Sequence, residues 1–113
     1  MQPVVTTSDA LAELGAHLET LEAVGLDTEF LRERTYRAEL CLVQVSDSGD
    51  ASCVDPLALT DLGPLARALT APGVIKVMHA SRQDLEVLLP VTGLVHPVFD
   101  TQIAAALAGR TAP

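Results

Sequence analysis

The chain has 113 residues and is 49% hydrophobic, enough for one domain with a real core and too short for two. A formal net charge of −8 argues against a nucleic-acid partner held by bulk charge, and a bare three aromatics, Phe30, Tyr36 and Phe99, argue against a base-stacking platform. No apolar run approaches the ~18 residues of a membrane span, the N-terminus lacks a basic-then-apolar signal pattern, and Cys41 and Cys53 lack zinc spacing, so the expectation is two buried thiols in a cytoplasmic protein.

Taken in order, Pro3 to Thr6 reads as a short strand. Thr7 and Ser8 are cap residues ahead of a helix from about Asp9 to Ala23, with Leu11, Leu14, Leu18 and Leu21 as its apolar stripe. His17 lies beside that stripe and reads as an exposed helix residue, since no partner is near it in sequence. A strand carrying Asp27 follows, then the polar loop Arg32-Glu33-Arg34-Thr35-Tyr36-Arg37. Three of the seven basic residues fall in that loop, where they suit either phosphates or pairing with Glu33 and Glu39.

Glu39 to Ser46 is a second strand, Asp47-Ser48-Gly49-Asp50 a turn, and Ala51 to Asp55 a third strand stopped by Pro56. Three strands joined by short connections predict an antiparallel meander. The pattern then changes. Thr60-Asp61 caps a helix with Pro64 in its first turn and Leu62, Leu65 and Leu69 on its buried side. Val74 to Met78 is a central parallel strand, apolar on both faces. Ser81 and Asp84 fit a capping box for a helix that Pro90 and Gly93 end. Val95 to Phe99 is a last short strand, and Asp100 or Thr101 caps a final helix through Ile103, Ala104 and Leu107. Meander followed by helix–strand alternation predicts a mixed α/β sheet of about five strands, with Asp27 on the central one.

Asp27 and Glu29 stand two residues apart on their strand. In extended backbone both side chains point to one face, with Cα atoms roughly 6.5 Å apart, while Val24, Leu26 and Phe30 point to the other. Two adjacent acids repel unless something positive joins them, and a divalent metal such as Mg²⁺ or Mn²⁺ takes oxygen ligands. On these residues alone a solvated strand end is the somewhat better explanation, because Asp-x-Glu is a short and common pattern. Asp84 opens a helix at the carboxyl end of a central strand, where sites form in open α/β sheets. By itself it needs no metal, because an acid in the first helical turn gains about 0.3–1 kcal/mol from the helix dipole. Asp100 reads as a plain N-cap.

Larger blocks decide between these readings. Asp27-Thr28-Glu29-Phe30-Leu31-Arg32, followed by Arg34-Thr35-Tyr36 and Val54-Asp55-Pro56-Leu57, resembles the first exonuclease motif of the ribonuclease D family. Lys76-Val77-Met78-His79-Ala80 and Ser81-Arg82-Gln83-Asp84-Leu85-Glu86-Val87-Leu88 resemble its second motif, and Phe99-Asp100-Thr101-Gln102 the segment after it. The resemblance covers nearly the whole chain, and three blocks in order are far more specific than any one.

That family is the DEDD group of metal-dependent 3′→5′ exonucleases. The resemblance implies a ribonuclease H-like fold: three antiparallel strands then parallel ones, with helices on both faces. It implies Asp27, Glu29 and Asp84 as catalytic metal ligands, and two Mg²⁺ or Mn²⁺ ions about 3.5–4 Å apart that clamp the scissile phosphate. Asp27 would bridge the ions, with Glu29 on one and Asp84 on the other. Thr28 and Phe30 would lie against the terminal nucleotide, and His79 either touches substrate or packs its turn. The implied substrate is an RNA 3′ end, such as that of a tRNA precursor. The family's third motif, Tyr-x-x-x-Asp, has no match within these residues, so the expectation is a C-terminally truncated exonuclease domain. As an isolated chain it is expected to be nearly inactive and to self-associate through surface left uncovered. A non-catalytic module that keeps the fold and binds RNA or protein is the alternative.

Overall fold

The computed structural model describes residues 4–32 and 38–109. Pro3, Arg34, Tyr36, Arg37, residues 110–113 and the side chain of Arg32 lie outside the described residues, and with them most of the basic loop. The elements are β1 (Val4–Val5), α1 (Ser8–Glu19), β2 (Ala23–Arg32), β3 (Ala38–Ser46), β4 (Ala51–Val54), α2 (Gly63–Thr70), β5 (Ile75–Met78), α3 (Arg82–Thr92), β6 (Val98–Asp100) and α4 (Thr101–Leu107).

They build one six-stranded sheet in the order β1-β4-β3-β2-β5-β6. β2, β3 and β4 are the antiparallel meander; β5 and β6 join β2 in parallel, and β1 lies parallel to β4. One strand more than expected results from the two-residue β1 pairing at the edge. β2 is central, flanked by β3 and β5, as expected for the strand of Asp27.

Period-two alternation governs β2. Val24, Leu26 and Thr28 are buried and Phe30 half-buried, while Ala23, Asp27 and Glu29 are exposed. The buried side joins Leu11 and Leu18 of α1, Leu65 and Leu69 of α2, and Val87 and Leu88 of α3 in a single core. Gly15 lets α1 meet α2 closely, since a Cβ there would stand 2.6 Å from the Pro64 carbonyl oxygen.

Several boundaries differ from the pattern-based reading. α1 stops at Glu19, where Thr20 caps it, because Ala23 is already in the sheet beside Ile75. The Asp61 carboxylate accepts from Gly63 N–H, but the α2 N-cap is Leu62, without a side-chain cap bond. α3 runs through Pro90 to Thr92 and ends at Gly93, whose φ of 83° suits glycine. Val95 is buried in the core ahead of the sheet, so β6 begins only at Val98. Cys53 is buried and Cys41 half-buried, neither in a disulfide.

Two polar residues depart further from expectation. β5 is not apolar on both faces: Ile75 is exposed and Lys76 is fully buried. The Lys76 ammonium donates to the Ala71 carbonyl at the end of α2 (2.7 Å) and to the His96 carbonyl (2.8 Å). Burial lowers its pKa to about 8. His17 does have a partner, distant in sequence: its Nε2 lies 3.0 Å from Asp47 Oδ2 in the β3–β4 turn. That bond and the Gly49 and Asp50 amides hold Asp47 at about 2.

Candidate active site

β2 pairs with β5 only over Ala23–Gly25. Past Gly25 it continues along β3 alone, so its other edge is open where β5 ends and the chain turns into α3. Asp27, Thr28 and Glu29 lie on that free stretch. Asp84 is in the first turn of α3. The two strands are parallel there, so the notch lies at their carboxyl ends, the usual location of sites in such sheets.

Thr28 joins the two halves. Its hydroxyl donates to Asp84 Oδ1 at 2.6 Å, while its own amide donates to Asp27 Oδ1 at 2.9 Å. Because Thr28 sits on the buried side of the strand, its side chain reaches α3, and the flanking acids take the exposed side. Asp84 is half-buried, and its pKa is raised. Burial is the main cause; the charges of Asp27 and Glu29 add to it, and the Thr28 bond opposes it. Thus Asp84 stands within electrostatic reach of both acids.

Asp100 anchors the turn from the opposite side. It caps α4 through the Gln102 and Ile103 amides, as expected. It also accepts from Ala80 N–H (3.1 Å), Ser81 N–H (2.8 Å) and the Ser81 hydroxyl (2.8 Å). These donors, Ser81 foremost, hold its carboxyl well below the usual carboxylate range. The expected capping box at Ser81 does not form, because the Ser81 hydroxyl is committed to Asp100 and no side chain caps α3.

His79 is exposed, with Nδ1 2.8 Å from Thr101 Oγ1. The Thr101 hydroxyl also lies 3.2 Å from the Met78 carbonyl, so it links His79 to the end of β5. Phe30 packs partly against the core.

The donors near the notch are hard oxygens, suited to Mg²⁺ or Mn²⁺, and the repulsion that adds to the burial-driven rise of Asp84 is what a cation offsets. In this respect the residues fit a metal. As their side chains stand, no group of three His, Cys, Asp or Glu among the described residues is close enough to hold one. Sequence reasoning missed the Thr28–Asp84 bond and the reach of Asp100 across to Ser81. A small hydroxyl between two acids, alternating toward the core, was the available sign of the first.

A 3′-5′ exonuclease family profile matches residues 2–112. Ribonuclease D of Escherichia coli K12 is 46% identical over 108 residues, covering 95% of this chain and 29% of that protein. The crystal structure of Escherichia coli RNase D, described as an exoribonuclease involved in structured RNA processing, superposes with a TM-score of 0.92 at 45% identity, over 98% of this chain and 30% of that one. The catalytic core of RRP6 from Trypanosoma brucei gives 0.88 at 28% identity, over 100% and 32%. The fold is thus the ribonuclease H-like one of these exonuclease cores. The chain spans under a third of the length of these relatives.

Proposed function

The chain belongs to the 3′-5′ exonuclease family, and on that premise we propose that it supplies the first acidic motifs of a ribonuclease D-type 3′→5′ exoribonuclease. The observation that carries the reading is the tie between the Asp27-Thr28-Glu29 strand and Asp84 across the notch. Asp27, Glu29 and Asp84 would hold divalent metal, Mg²⁺ or Mn²⁺. When bound, such ions neutralise phosphate charge, acidify water and stabilise the leaving 3′ oxygen.

The chain's own residues do the rest. Thr28 keeps one Asp84 oxygen engaged, and the other would serve a ligand. Phe30 and His79 would bear on the terminal nucleotide, as the family resemblance implies. The Thr28 hydroxyl is committed to Asp84, so Thr28 would meet that nucleotide through its methyl group or backbone. The substrate is an RNA 3′ end, tRNA precursors being one candidate class, and the setting is the cytoplasm. Phe99, Ile103 and Leu107 are exposed beside one another on β6 and α4, and this supports self-association of the 113-residue chain.

The test is a 5′-labelled single-stranded RNA incubated with the purified chain in Mn²⁺. Stepwise shortening from the 3′ end, lost in Glu29→Ala, supports the enzyme. Metal-independent RNA binding without shortening supports the non-catalytic module. Internal cleavage refutes both.

A further inference from the structure

We infer that Asp100 is a positioning residue: its carboxylate holds the β5–α3 junction at Ala80 and Ser81, and thereby sets where Asp84 stands against Asp27 and Glu29. The inference rests on the reading of Asp84 as a metal ligand given above.

The junction needs a restraint. Ala80 has φ of 53°, a left-handed conformation that alanine, unlike glycine, adopts only under constraint. Its amide and that of Ser81 both end on the Asp100 carboxylate, as does the Ser81 hydroxyl. Asp100 thus holds the N-cap residue Ser81 and the residue before it, where no side chain caps α3. Ser81 is buried, and its carbonyl accepts from Leu85 N–H, so fixing Ser81 fixes the helical turn that carries Asp84.

A second link runs alongside. Thr101, next to Asp100, donates to the Met78 carbonyl and lies 2.8 Å from His79 Nδ1. The strand end of β6 therefore grips the whole segment from Met78 to Ser81. On the far side, Thr28 holds Asp84 itself. Asp84 is located by two ties from opposite directions, one direct and one through the backbone. An N-cap for α4 alone would require only the Gln102 and Ile103 bonds.

The experiment measures Mn²⁺ affinity of the 113-residue chain by calorimetry, with thermal melts in the absence of metal. Asp100→Asn turns one carboxylate oxygen into an NH2 group; with Oδ1 kept as the acceptor that caps α4, the amide hydrogens face the Ser81 N–H at the Oδ2 position and that bond is lost, which is expected to weaken Mn²⁺ binding about tenfold or more, the scale of outer-shell partners. Ala80→Gly alone should leave affinity near that of the parent. In the double variant it should recover most of the loss, because glycine adopts φ of 53° without help. An α4 cap without a positioning role predicts a lower melting temperature, unchanged Mn²⁺ affinity and no recovery by Ala80→Gly; that result overturns the inference. If Asp100→Asn does not fold, Ser81→Ala removes one of the three α3-side bonds and carries the test. A few-fold weaker affinity supports the inference, and none refutes it. Asp84→Asn separates the two readings. If it weakens binding and Asp100→Asn does not, the positioning inference alone fails. If Asp84→Asn changes nothing, the metal-site reading falls too.

Discussion

Replacing Thr28 with Val tests the contact on which the site depends. Thr28 is 7% exposed, and Val is nearly its shape, so the substitution removes a hydroxyl without opening a cavity. What is lost is one hydrogen bond of 2.6 Å to a carboxylate. Bonds to charged groups contribute about 1.5–3 kcal/mol, roughly twice a neutral one. At about 4 °C per kcal/mol for a domain of this size, the melting temperature should fall by roughly 6–12 °C at pH 7.

The loss should also depend on pH. In the folded chain the pKa of Asp84 is raised, chiefly by burial. Ionised Asp84 is therefore a cost of folding that grows as pH rises from its ordinary value through its folded one. The Thr28 bond offsets part of that cost, and does so only while the carboxylate is charged. Below that window the acid is protonated, and Thr28→Val removes a neutral bond of about 0.5–1.5 kcal/mol. Melts at pH 7 and pH 3, the latter below the ordinary 3.8, should then show a larger difference at pH 7, and Thr28→Ser should recover much of it. Equal stability of Thr28→Val and the parent at pH 7, or an equal loss at both pH values, would show that the hydroxyl does not support a charged Asp84.

Asp27→Ala should weaken Mn²⁺ binding in calorimetry, and unchanged binding removes these acids from the account. The 113-residue chain, assayed by itself on single-stranded RNA in Mn²⁺, should shorten it very slowly, because groups that act as one catalytic unit are strongly non-additive and three carboxylates are an incomplete set; rapid shortening would show that three suffice. Lys76 loses protons between about 8 when folded and its ordinary 10.5 when unfolded, so the unfolded chain binds more protons in that window. Urea-measured stability should rise there by up to about 3 kcal/mol, and the rise should be absent in Lys76→Met. Asp47, held at about 2 against an ordinary 3.8, should contribute stability that is full above its ordinary pKa and lost as pH falls toward 2; His17→Ala should shrink that acid-side loss in a pH-dependent melt.

The legible parts of the fold are those where periodicity and burial agree. Alternation in β2 separates Val24, Leu26 and Phe30 from Asp27 and Glu29 in the sequence as in the sheet. The turn at Asp47 was readable because its carboxylate serves the Gly49 and Asp50 amides locally. The buried Lys76 was not, because its partners are the Ala71 and His96 carbonyls, and a backbone carbonyl carries no residue type. Pro90 reads as a stop, yet α3 passes it. Both Pro90 and Glu86 are exposed, so the proline falls on the solvent side of α3, where the missing N–H costs least.

The site shows the same division at finer scale. Asp27 and Glu29 are legible as a pair because strand geometry alone puts them on one face. Asp84 is legible only through the blocks around it, since an acid in a first helical turn is common. What joins them is the residue between the two acids. Alternation that exposes Asp27 and Glu29 must bury Thr28, and a buried hydroxyl must find an acceptor. The acceptor it finds is Asp84, 56 positions away. One tripeptide thus serves both purposes: its acids face outward to the notch while its middle residue reaches inward and fixes the third acid. Ser in place of Thr28 keeps that link, whereas an aliphatic residue leaves the two motifs as neighbours without a bond.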